Sequence, residues 1–199
     1  MKKFKLTSEF IVDISGVKLF RIKALIEFGN VKAGDLGGYI EKEENLSHMG
    51  NAWVSGNARV SGNARVSGDA RVFGNARVSG NARVSGNARV SGNAQVFGDA
   101  RVSGNAQVFG DARVSGDKDY AYAHGFGSCN RTTTFFRLKD GDVGVRCGCF
   151  YGTLAQFRDN VCETHGETKK AQEYLMLADL MELRFEEDEN EVGNRKYVE

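Results

Sequence analysis

The sequence contains no proline, only one tryptophan, and no apolar run that approaches the roughly 18–20 residues of a membrane-spanning helix. Residues 1–16 include two early lysines, but Asp13 interrupts their short apolar stretch, so the apolar segment of a secretory signal is missing. These absences argue against a membrane or secreted protein, and they lead us to expect a location in the cytoplasm.

The net charge is also small: the 199 residues carry a formal charge of only +1. The charges are unevenly placed: the net charge is +1 over residues 1–53, +5 over residues 54–116 and −5 over residues 117–199. The middle segment contains eight arginines and no lysine. A basic middle followed by an acidic C-terminal part predicts segments with different roles.

Glycine, by contrast, is abundant at 25 residues, and much of it belongs to a repeat of six residues. Valine recurs at every sixth position from Val54 to Val114, and an alanine precedes each valine by two residues. Six is a whole number of two-residue strand steps, so these valines and alanines face the same side. The letters between them, such as Ser-Gly-Asn or Phe-Gly-Asp, tolerate tight turns.

A chain that alternates short strands and tight turns at a fixed period must coil, which predicts a β-solenoid. Three hexapeptides would form one triangular coil, so residues 54–116 supply about three and a half coils. Stacked at the roughly 4.8 Å spacing of neighbouring strands, these coils make a rod on the order of 17 Å long. Valine is expected to fill the interior, and alanine the places where the wall narrows.

The rest of the chain is expected to close the two exposed strand edges of the solenoid. Residues 3–31 predict three short strands with a hairpin turn at Ser15-Gly16, and Ile40 and Leu46 fall on the alanine phase of the repeat. The chain then divides into an N-terminal β cap and lead-in (residues 1–45), the β-solenoid (46–126), a C-terminal module (127–185) and a flexible acidic tail (186–199).

The C-terminal module is predicted as a hairpin followed by two helices, a ββαα unit. Aromatic and β-branched residues surround the turn signal Lys139-Asp140-Gly141. One helix begins after Thr153 and stops near Gly166, and a second begins after Thr168. The apolar side of the second helix is predicted to comprise Ala171, Tyr174, Leu175, Ala178 and Leu183.

Two parts of the sequence resemble known proteins. The alternation of small and aliphatic residues resembles the left-handed β-helix of hexapeptide-repeat proteins, which implies a mainly β fold built on a left-handed parallel β-helix. The flanks LFRIKALIEFGNVKAGDLGGYIEKEENLS and TTTFF…DG…CGCFYGTL…THG resemble short hexapeptide-repeat proteins encoded by phages and prophages. That resemblance implies a virus-encoded protein in the cytoplasm of a bacterial host. We also expect a homo-oligomer, either a trimer or a dimer.

The resemblance also raises an enzyme hypothesis, because many left-handed β-helix proteins transfer acyl groups from coenzyme A or a carrier protein. Such enzymes use a histidine as general base beside a loop that leaves the coil. This sequence has no histidine between Met49 and Ala123 and no inserted loop, while His48 and His124 fall at the ends of the repeat. We therefore favour a non-enzymatic protein, and an acyltransferase with an atypical site and coenzyme A remains an alternative.

The cysteines raise a metal hypothesis. Cys147 and Cys149, together with Cys162 and His165 on a predicted helix, supply four ligands of the kind that zinc binds. Structural zinc sites usually place two cysteines in a turn with two to four residues between them, so we favour buried thiols and no cofactor. Cys129 is nearby in sequence. In a reducing cytoplasm none of these thiols is expected to form a disulfide.

Arginine precedes the valine in eight repeats, and a period of three hexapeptides sorts these positions into three columns. The columns are Arg59, Arg77, Gln95 and Arg113; Arg65, Arg83 and Arg101; and Arg71, Arg89 and Gln107. Stacked guanidinium groups suit phosphate, so a rod that binds nucleic acid or another polyanion is an alternative function. Three equivalent columns are also what a solvated surface would show.

The irregular positions of the repeat predict a binding function instead. Phenylalanine replaces the turn serine at three positions, of which Phe73 and Phe109 share one edge and Phe97 lies on the next. We expect a non-enzymatic scaffold that presents this aromatic edge and the C-terminal module to a host or phage protein, with a host defence factor as a candidate. The expected contact residues are Phe73, Phe97, Phe109, Phe135, Phe136, Phe150 and Tyr151.

Overall fold

A computed structural model describes residues 1–127 and 131–186 of the chain. Its central part is a β-solenoid in which every repeat contributes one two-residue strand, made of the repeat valine and the residue before it. These strands, β4 to β14, are Trp53–Val54, Arg59–Val60, Arg65–Val66, Arg71–Val72, Arg77–Val78, Arg83–Val84, Arg89–Val90, Gln95–Val96, Arg101–Val102, Gln107–Val108 and Arg113–Val114.

The strands stack into three parallel ladders, because each strand pairs with the one that lies three repeats further along. β5, β8, β11 and β14 form the first ladder, β6, β9 and β12 the second, and β4, β7, β10 and β13 the third. Valine pairs with valine in register, as Val60 does with Val78. The predicted solenoid with three hexapeptides in each coil is therefore confirmed.

The interior contains one valine and one alanine from each repeat, and these side chains are at most 1 % exposed from Ala52 to Val114. The corners between the strands need glycine. At Gly92 the backbone φ is +72°, and an added Cβ would lie 2.8 Å from the amide nitrogen of Gly110 in the next coil. The corner thus requires glycine both for its left-handed backbone and for the close approach of the neighbouring coil.

A small antiparallel sheet extends the first ladder at the N-terminal end. β1 (Phe4–Val12) and β2 (Lys18–Ala24) form a hairpin, β2 pairs with β3 (Leu36–Ile40), and β3 pairs in parallel with β5. The first two predicted strands are in fact one strand, β1, with a bulge between Leu6 and Phe10. Because β1 is the outer edge of the sheet, this bulge makes it a poorer template for another strand.

The lead-in joins the solenoid in a register that differs from the predicted one by two residues. Ile40 pairs with Val60, and Leu46 forms a bridge to Val66, so both occupy the valine position of the coil. Their predicted placement on the alanine phase is wrong. Two additional residues in the turn that contains His48 restore the period before Trp53, which pairs with Arg71.

The C-terminal module has four strands where the sequence predicts two. They are β15 (Tyr120–Phe126), β16 (Arg131–Arg137), β17 (Val143–Cys147) and β18 (Phe150–Thr153), and they form an antiparallel sheet in chain order. β15 lies in residues that the sequence assigns to the end of the solenoid, because Tyr120 and Phe126 continue the six-residue spacing beyond Val114. The predicted hairpin around Gly141 connects β16 and β17.

The two predicted helices are present: α1 (Leu154–His165) and α2 (Lys169–Phe185). The hydroxyls of Thr153 and Thr168 accept hydrogen bonds from backbone N–H groups of the first turns, as the capping signals predict. The apolar face of α2 differs from the prediction, since Leu183 is 68 % exposed and Met181 and Phe185 are buried instead. Neither helix in the described ranges has the length and apolarity needed to cross a bilayer.

The two ends of the solenoid expose opposite backbone groups. Along each ladder the N–H of one coil donates to a carbonyl of the following coil, as Arg59 does to Ala76 over 2.9 Å. The N-terminal end therefore presents carbonyl oxygens, and side-chain donors cover some of them. Lys3 Nζ donates to the carbonyl of Ala52 over 2.8 Å, and Asn45 Nδ2 donates to that of Ala64 over 2.9 Å.

The C-terminal end presents N–H groups, and oxygen acceptors cover them. Asp117 Oδ1 accepts from the amide of Arg101 over 3.0 Å, Thr134 Oγ1 from Gln107 over 2.9 Å and Asp119 Oδ2 from Ser115 over 2.7 Å. Each end is thus closed by groups of the complementary polarity, which leaves fewer unpaired backbone groups for another chain to pair with.

Candidate partner-binding surface

Three of the predicted contact residues form a line from the solenoid onto the C-terminal module. Phe73 and Phe109 follow β7 and β13 in the third ladder, and Ser91 occupies the equivalent position in the coil between them. The ring of Tyr151 on β18 packs edge-on against Phe109, with the ring centroids 5.1 Å apart. We call Phe73, Phe109 and Tyr151 the aromatic strip.

The aromatic strip is accessible at both of its ends. Phe73 is 38 % exposed and Tyr151 39 % exposed, while Phe109 is half-buried and Ser91 is buried. Because strands stack about 4.8 Å apart, the serine coil leaves about 9.6 Å between the two phenylalanine positions. The guanidinium of Arg146, on β17, lies over the Phe109 ring at 5.1 Å, so a cation flanks the middle of the strip.

A groove of about 500 Å³ adjoins the Phe73 end of the strip. Its wall includes Leu36, which is half exposed, and the edge of Trp53, which packs against Phe28 with centroids 5.4 Å apart. Arg71 and Arg89 also line the groove. The surface next to the strip therefore combines apolar side chains with two guanidinium groups and the carboxylate of Asp35, which accepts the backbone N–H of Lys32 over 2.9 Å.

The other predicted contact residues lie elsewhere. Phe135 and Phe136 are fully buried on opposite faces of β16, Phe135 in the core of the module and Phe136 in the core of the solenoid. Their prediction as contact residues is wrong, because β16 is covered on both faces and joins the two cores. Phe150 packs against Phe157 of α1, with centroids 5.5 Å apart, and half-buried Phe97 lies on a different ladder.

The arginine columns have the predicted composition, and the three are not equivalent. Gln95 interrupts the column of the first ladder, and Gln107 ends the column of the third. The second ladder carries the uninterrupted column Arg65, Arg83 and Arg101, and all three of these side chains are exposed. Within the described part of the chain, no ion pair includes a solenoid arginine.

The two histidines of the enzyme hypothesis are both engaged in structural contacts. His48 Nδ1 accepts the backbone N–H of Lys3 over 3.2 Å, so in the neutral ring the proton lies on Nε2, which is 3.1 Å from Glu43 Oε1. The His48 ring also stacks on Phe4, with centroids 4.4 Å apart. His124 Nδ1 lies 3.1 Å from Thr132 Oγ1. His48 lies in the turn that carries two additional residues, and His124 lies on β15, outside the coils.

The cysteines of the zinc hypothesis do not come together in the described ranges. Cys147 is half-buried and its Sγ lies 3.2 Å from Thr133 Oγ1, whereas Cys149 and Cys162 are exposed, so the prediction of buried thiols is wrong for these two residues. The His165 ring stacks on Tyr174, with centroids 5.8 Å apart. Over residues 1–127 and 131–186, no group of three or more His, Cys, Asp or Glu side chains is arranged to hold a metal ion. Cys129 lies outside the described residues.

The solenoid is similar to a known repeat. The family model described as YdcK Beta solenoid repeat matches overlapping stretches of this chain, at residues 52–68, 58–74, 64–80, 70–83, 76–92, 82–96 and 94–108. No curated protein matches the chain. The matched stretches cover Phe73 and every arginine of the columns except Arg113, and they end before Phe109 and the C-terminal module.

Some residues of the candidate surface carry no sequence signal. Arg146 reaches Phe109 only because the C-terminal sheet packs against the last coil through β16, and Leu36 reaches the groove only through the pairing of β3. The repeat identifies Phe73 as unusual, because most repeats have serine at that position. No nearby sequence pattern predicts that Tyr151 contacts Phe109. Sequence reasoning therefore identified the three residues of the aromatic strip, named Arg71 and Arg89 for a different function, and missed Arg146 and Leu36.

Proposed function

We propose that this protein is a non-enzymatic β-solenoid scaffold that presents the aromatic strip and the adjoining groove to a protein partner. The observation that supports the proposal is the contact between Phe109 and Tyr151, because it makes the strip continuous from the solenoid onto the module. Partly exposed aromatic side chains beside arginine are the composition that protein interfaces favour at their centres.

The surroundings of the strip define the kind of partner surface that fits it. Phe73 and Leu36 offer apolar area, whereas Arg71, Arg89 and Arg146 place guanidinium groups around that area. A partner with an apolar centre and carboxylate groups at its rim would bury the rings and pair the arginines. We therefore propose an acidic, partly apolar protein surface as the partner.

The resemblance of the flanking sequences to phage and prophage proteins supports a setting for this function. In that setting the scaffold is a phage-encoded protein in the bacterial cytoplasm, and the partner is a host protein, with a defence component as the candidate. The match of the repeat to a β-solenoid family is compatible with this setting and says nothing about the partner.

Single substitutions along the strip test the proposal. Serine is the common residue at the repeat position of Phe73, so Phe73→Ser is expected to keep the fold, and Phe97→Ser is a matched control on another ladder. The tagged wild type, the two variants and Tyr151→Ser are incubated with nuclease-treated bacterial lysate, and bound proteins are quantified by mass spectrometry. Loss of an interface aromatic typically costs about 2 kcal/mol, or roughly thirtyfold in affinity.

The expected result is a protein that is retained by the wild type and by Phe97→Ser and lost with Phe73→Ser and Tyr151→Ser. Equal retention by all four proteins would contradict the strip as the contact surface. Thermal unfolding of each variant, followed by circular dichroism, checks that the loss is not a loss of fold.

A further inference from the structure

The uninterrupted arginine column of the second ladder forms a straight row of positive charge. β6, β9 and β12 pair in register, which sets Arg65, Arg83 and Arg101 side by side. Neighbouring positions in such a row lie about 4.8 Å apart. We call the surface made by these three arginines and the serines that follow Arg65 and Arg83 in the repeat, Ser67 and Ser85, the basic face.

The charges of the basic face repel one another, and carboxylates stand near its C-terminal end: Asp117 Oδ1 accepts the backbone N–H of Arg101 over 3.0 Å, and Asp99 Oδ1 accepts from Asn81 Nδ2 over 3.0 Å. No ion pair of the described residues includes Arg65, Arg83 or Arg101. The other two columns each contain a glutamine, which reduces this repulsion at one position. Only the second ladder keeps three guanidinium groups in succession, so only this face concentrates the field of a linear polycation.

A groove of about 730 Å³ runs along the N-terminal part of the basic face. Arg65, Arg83, Ser67 and Ser85 line it, and Lys2 stands at its rim. The rim also carries Glu44, which is exposed, and Glu43. The carboxylate of Glu43 is already paired, since Lys2 Nζ lies 2.9 Å and His48 Nε2 3.1 Å from its Oε1. The groove therefore offers guanidinium and hydroxyl donors in a row.

We propose that the basic face binds the phosphate backbone of nucleic acid without reading its sequence. Guanidinium groups donate paired hydrogen bonds to phosphate oxygens, and the serine hydroxyls add single donors. The side chains of the groove that belong to the solenoid interior, such as Val66, are buried, and so is Leu46. His48 is the one aromatic ring among the described residues that line this groove, whereas Phe73 and Trp53 line the groove beside the aromatic strip.

The chain itself indicates a substitution that the fold tolerates, because Gln95 and Gln107 occupy the arginine position in two natural repeats. Arginine-to-glutamine variants therefore test the basic face without disturbing the coils. The test variant is Arg65→Gln, Arg83→Gln and Arg101→Gln. The control variant is Arg59→Gln, Arg77→Gln and Arg113→Gln, which removes the same charge from the first ladder. Fluorescence anisotropy with a labelled DNA duplex, and with one of its single strands, measures binding of the three full-length proteins between about 50 and 200 mM salt.

Three phosphate contacts predict a plot of log affinity against log salt with a slope of about −2.7 for duplex and about −2.1 for single strand. We expect the test variant to bind at least about tenfold more weakly at the lower salt, with a slope near zero, and the control variant to keep the wild-type slope. Equal loss in both variants, or no binding by the wild type at the lower salt, would overturn the proposal. Capture of an acidic protein by the basic face in place of DNA would overturn it as well.

Discussion

The side chain of Lys3 shows how single residues close the end of a repeat structure. It is 1 % exposed, and its ammonium group donates to the carbonyls of Gly50 and Ala52 over 3.2 and 2.8 Å. It also lies over the Phe28 ring at 4.7 Å. Desolvation lowers the pKa of Lys3 to about 8, and the negative charge of Asp69 opposes this shift.

The lowered pKa of Lys3 predicts that stability rises with pH in a defined window. Between about pH 8, where the folded protein releases the proton, and pH 10.5, where the unfolded chain does, the unfolded state binds more protons. The free energy of unfolding therefore increases with pH in this window, by at most about 1.4 kcal/mol per pH unit from this group. Urea unfolding at a series of pH values measures the slope.

The variant Lys3→Met removes this contribution, so the difference in unfolding free energy between wild type and variant should grow from pH 8 to pH 10.5. It also leaves two carbonyls without their donor, which costs about 1–3 kcal/mol throughout. Lys2→Met is the matched control, because the Lys2 side chain is 66 % exposed and should leave the slope unchanged. A slope in Lys3→Met equal to that of the wild type would refute the assignment.

The corner asparagines explain another residue-scale feature of the repeat. Asn57 Nδ2 donates to Asn75 Oδ1 over 3.3 Å, Asn75 to Asn93 over 3.3 Å, and Asn93 to Asp111 over 3.1 Å. An aspartate can accept from the preceding coil and has no N–H to donate to the next, so Asp111 ends this row of amides. The sequence shows that aspartate stands at position 111, and only the stacking of the coils shows that this position is the last acceptor of its row.

In helix α2 the angular position of a residue, more than its apolar character, decides whether it is buried. Its buried residues are Ala171, Tyr174, Ala178, Met181 and Phe185, a spacing that keeps one face toward the module core. At about 100° per residue, Leu183 lies about 140° around the helix from Ala178, which is why its predicted burial failed. Leu183 was predicted to be buried because it is apolar, whereas its angular position on the helix turns it toward solvent.

Substitution of Met181 by glutamine should therefore destabilise the protein much more than the same substitution of Leu183. Met181 is 7 % exposed, so Met181→Gln places an amide among apolar groups and is expected to lower the free energy of unfolding by about 2 kcal/mol or more. Leu183→Gln is expected to change it by no more than about 0.5 kcal/mol. Urea unfolding of both variants measures the difference, and equal destabilisation would show that α2 is oriented differently.

Elements with local signals could be predicted, whereas elements defined by distant pairing could not. The capping threonines Thr153 and Thr168 located both helices, and the period of the repeat located every solenoid strand. The strand β15 could not be separated from the solenoid, because its pairing with β16 is antiparallel and nothing in its own residues specifies that direction. The predicted register of Ile40 was wrong for a related reason. The two additional residues lie in a turn outside the hexapeptide repeat, so the period of the repeat gives no sign of them.

The whole molecule joins a repetitive part to an irregular one, and the junction is built from long-range contacts. Leu138 forms a bridge to Ala112, Thr134 accepts from the amide of Gln107, and the adjacent residues Phe135 and Phe136 belong to different cores. The repeat predicted the rod, and no local pattern predicted how the module attaches to it. This is also why the candidate aromatic strip, which crosses the junction, could be predicted only residue by residue.

The modular construction of the solenoid predicts that one coil is dispensable. Deletion of residues 55–72 removes three hexapeptides and joins Val54 to Phe73, so the N-terminal cap meets the equivalent backbone groups one coil later. Apolar side chains of the cap, such as Phe4 and Ile22, share a core with the repeating valines and alanines. The cap also donates hydrogen bonds to backbone carbonyls, as Tyr39 N–H does to Ala58, and the equivalent carbonyl one coil later belongs to Ala76. The shortened protein should keep a single cooperative unfolding transition, with a smaller dependence on denaturant because less surface is exposed.

Deletion of residues 55–71 is the matched control, since it removes one residue fewer and leaves Val72 as an extra residue in a corner. That corner needs a glycine with a positive φ at a fixed position, so the shift is expected to lower the denaturation midpoint well below that of the full-coil deletion. Circular dichroism and urea unfolding compare the two. A lower midpoint for the full-coil deletion than for the control would show that the coils are not interchangeable, and that the cap depends on side chains of the first coil in particular.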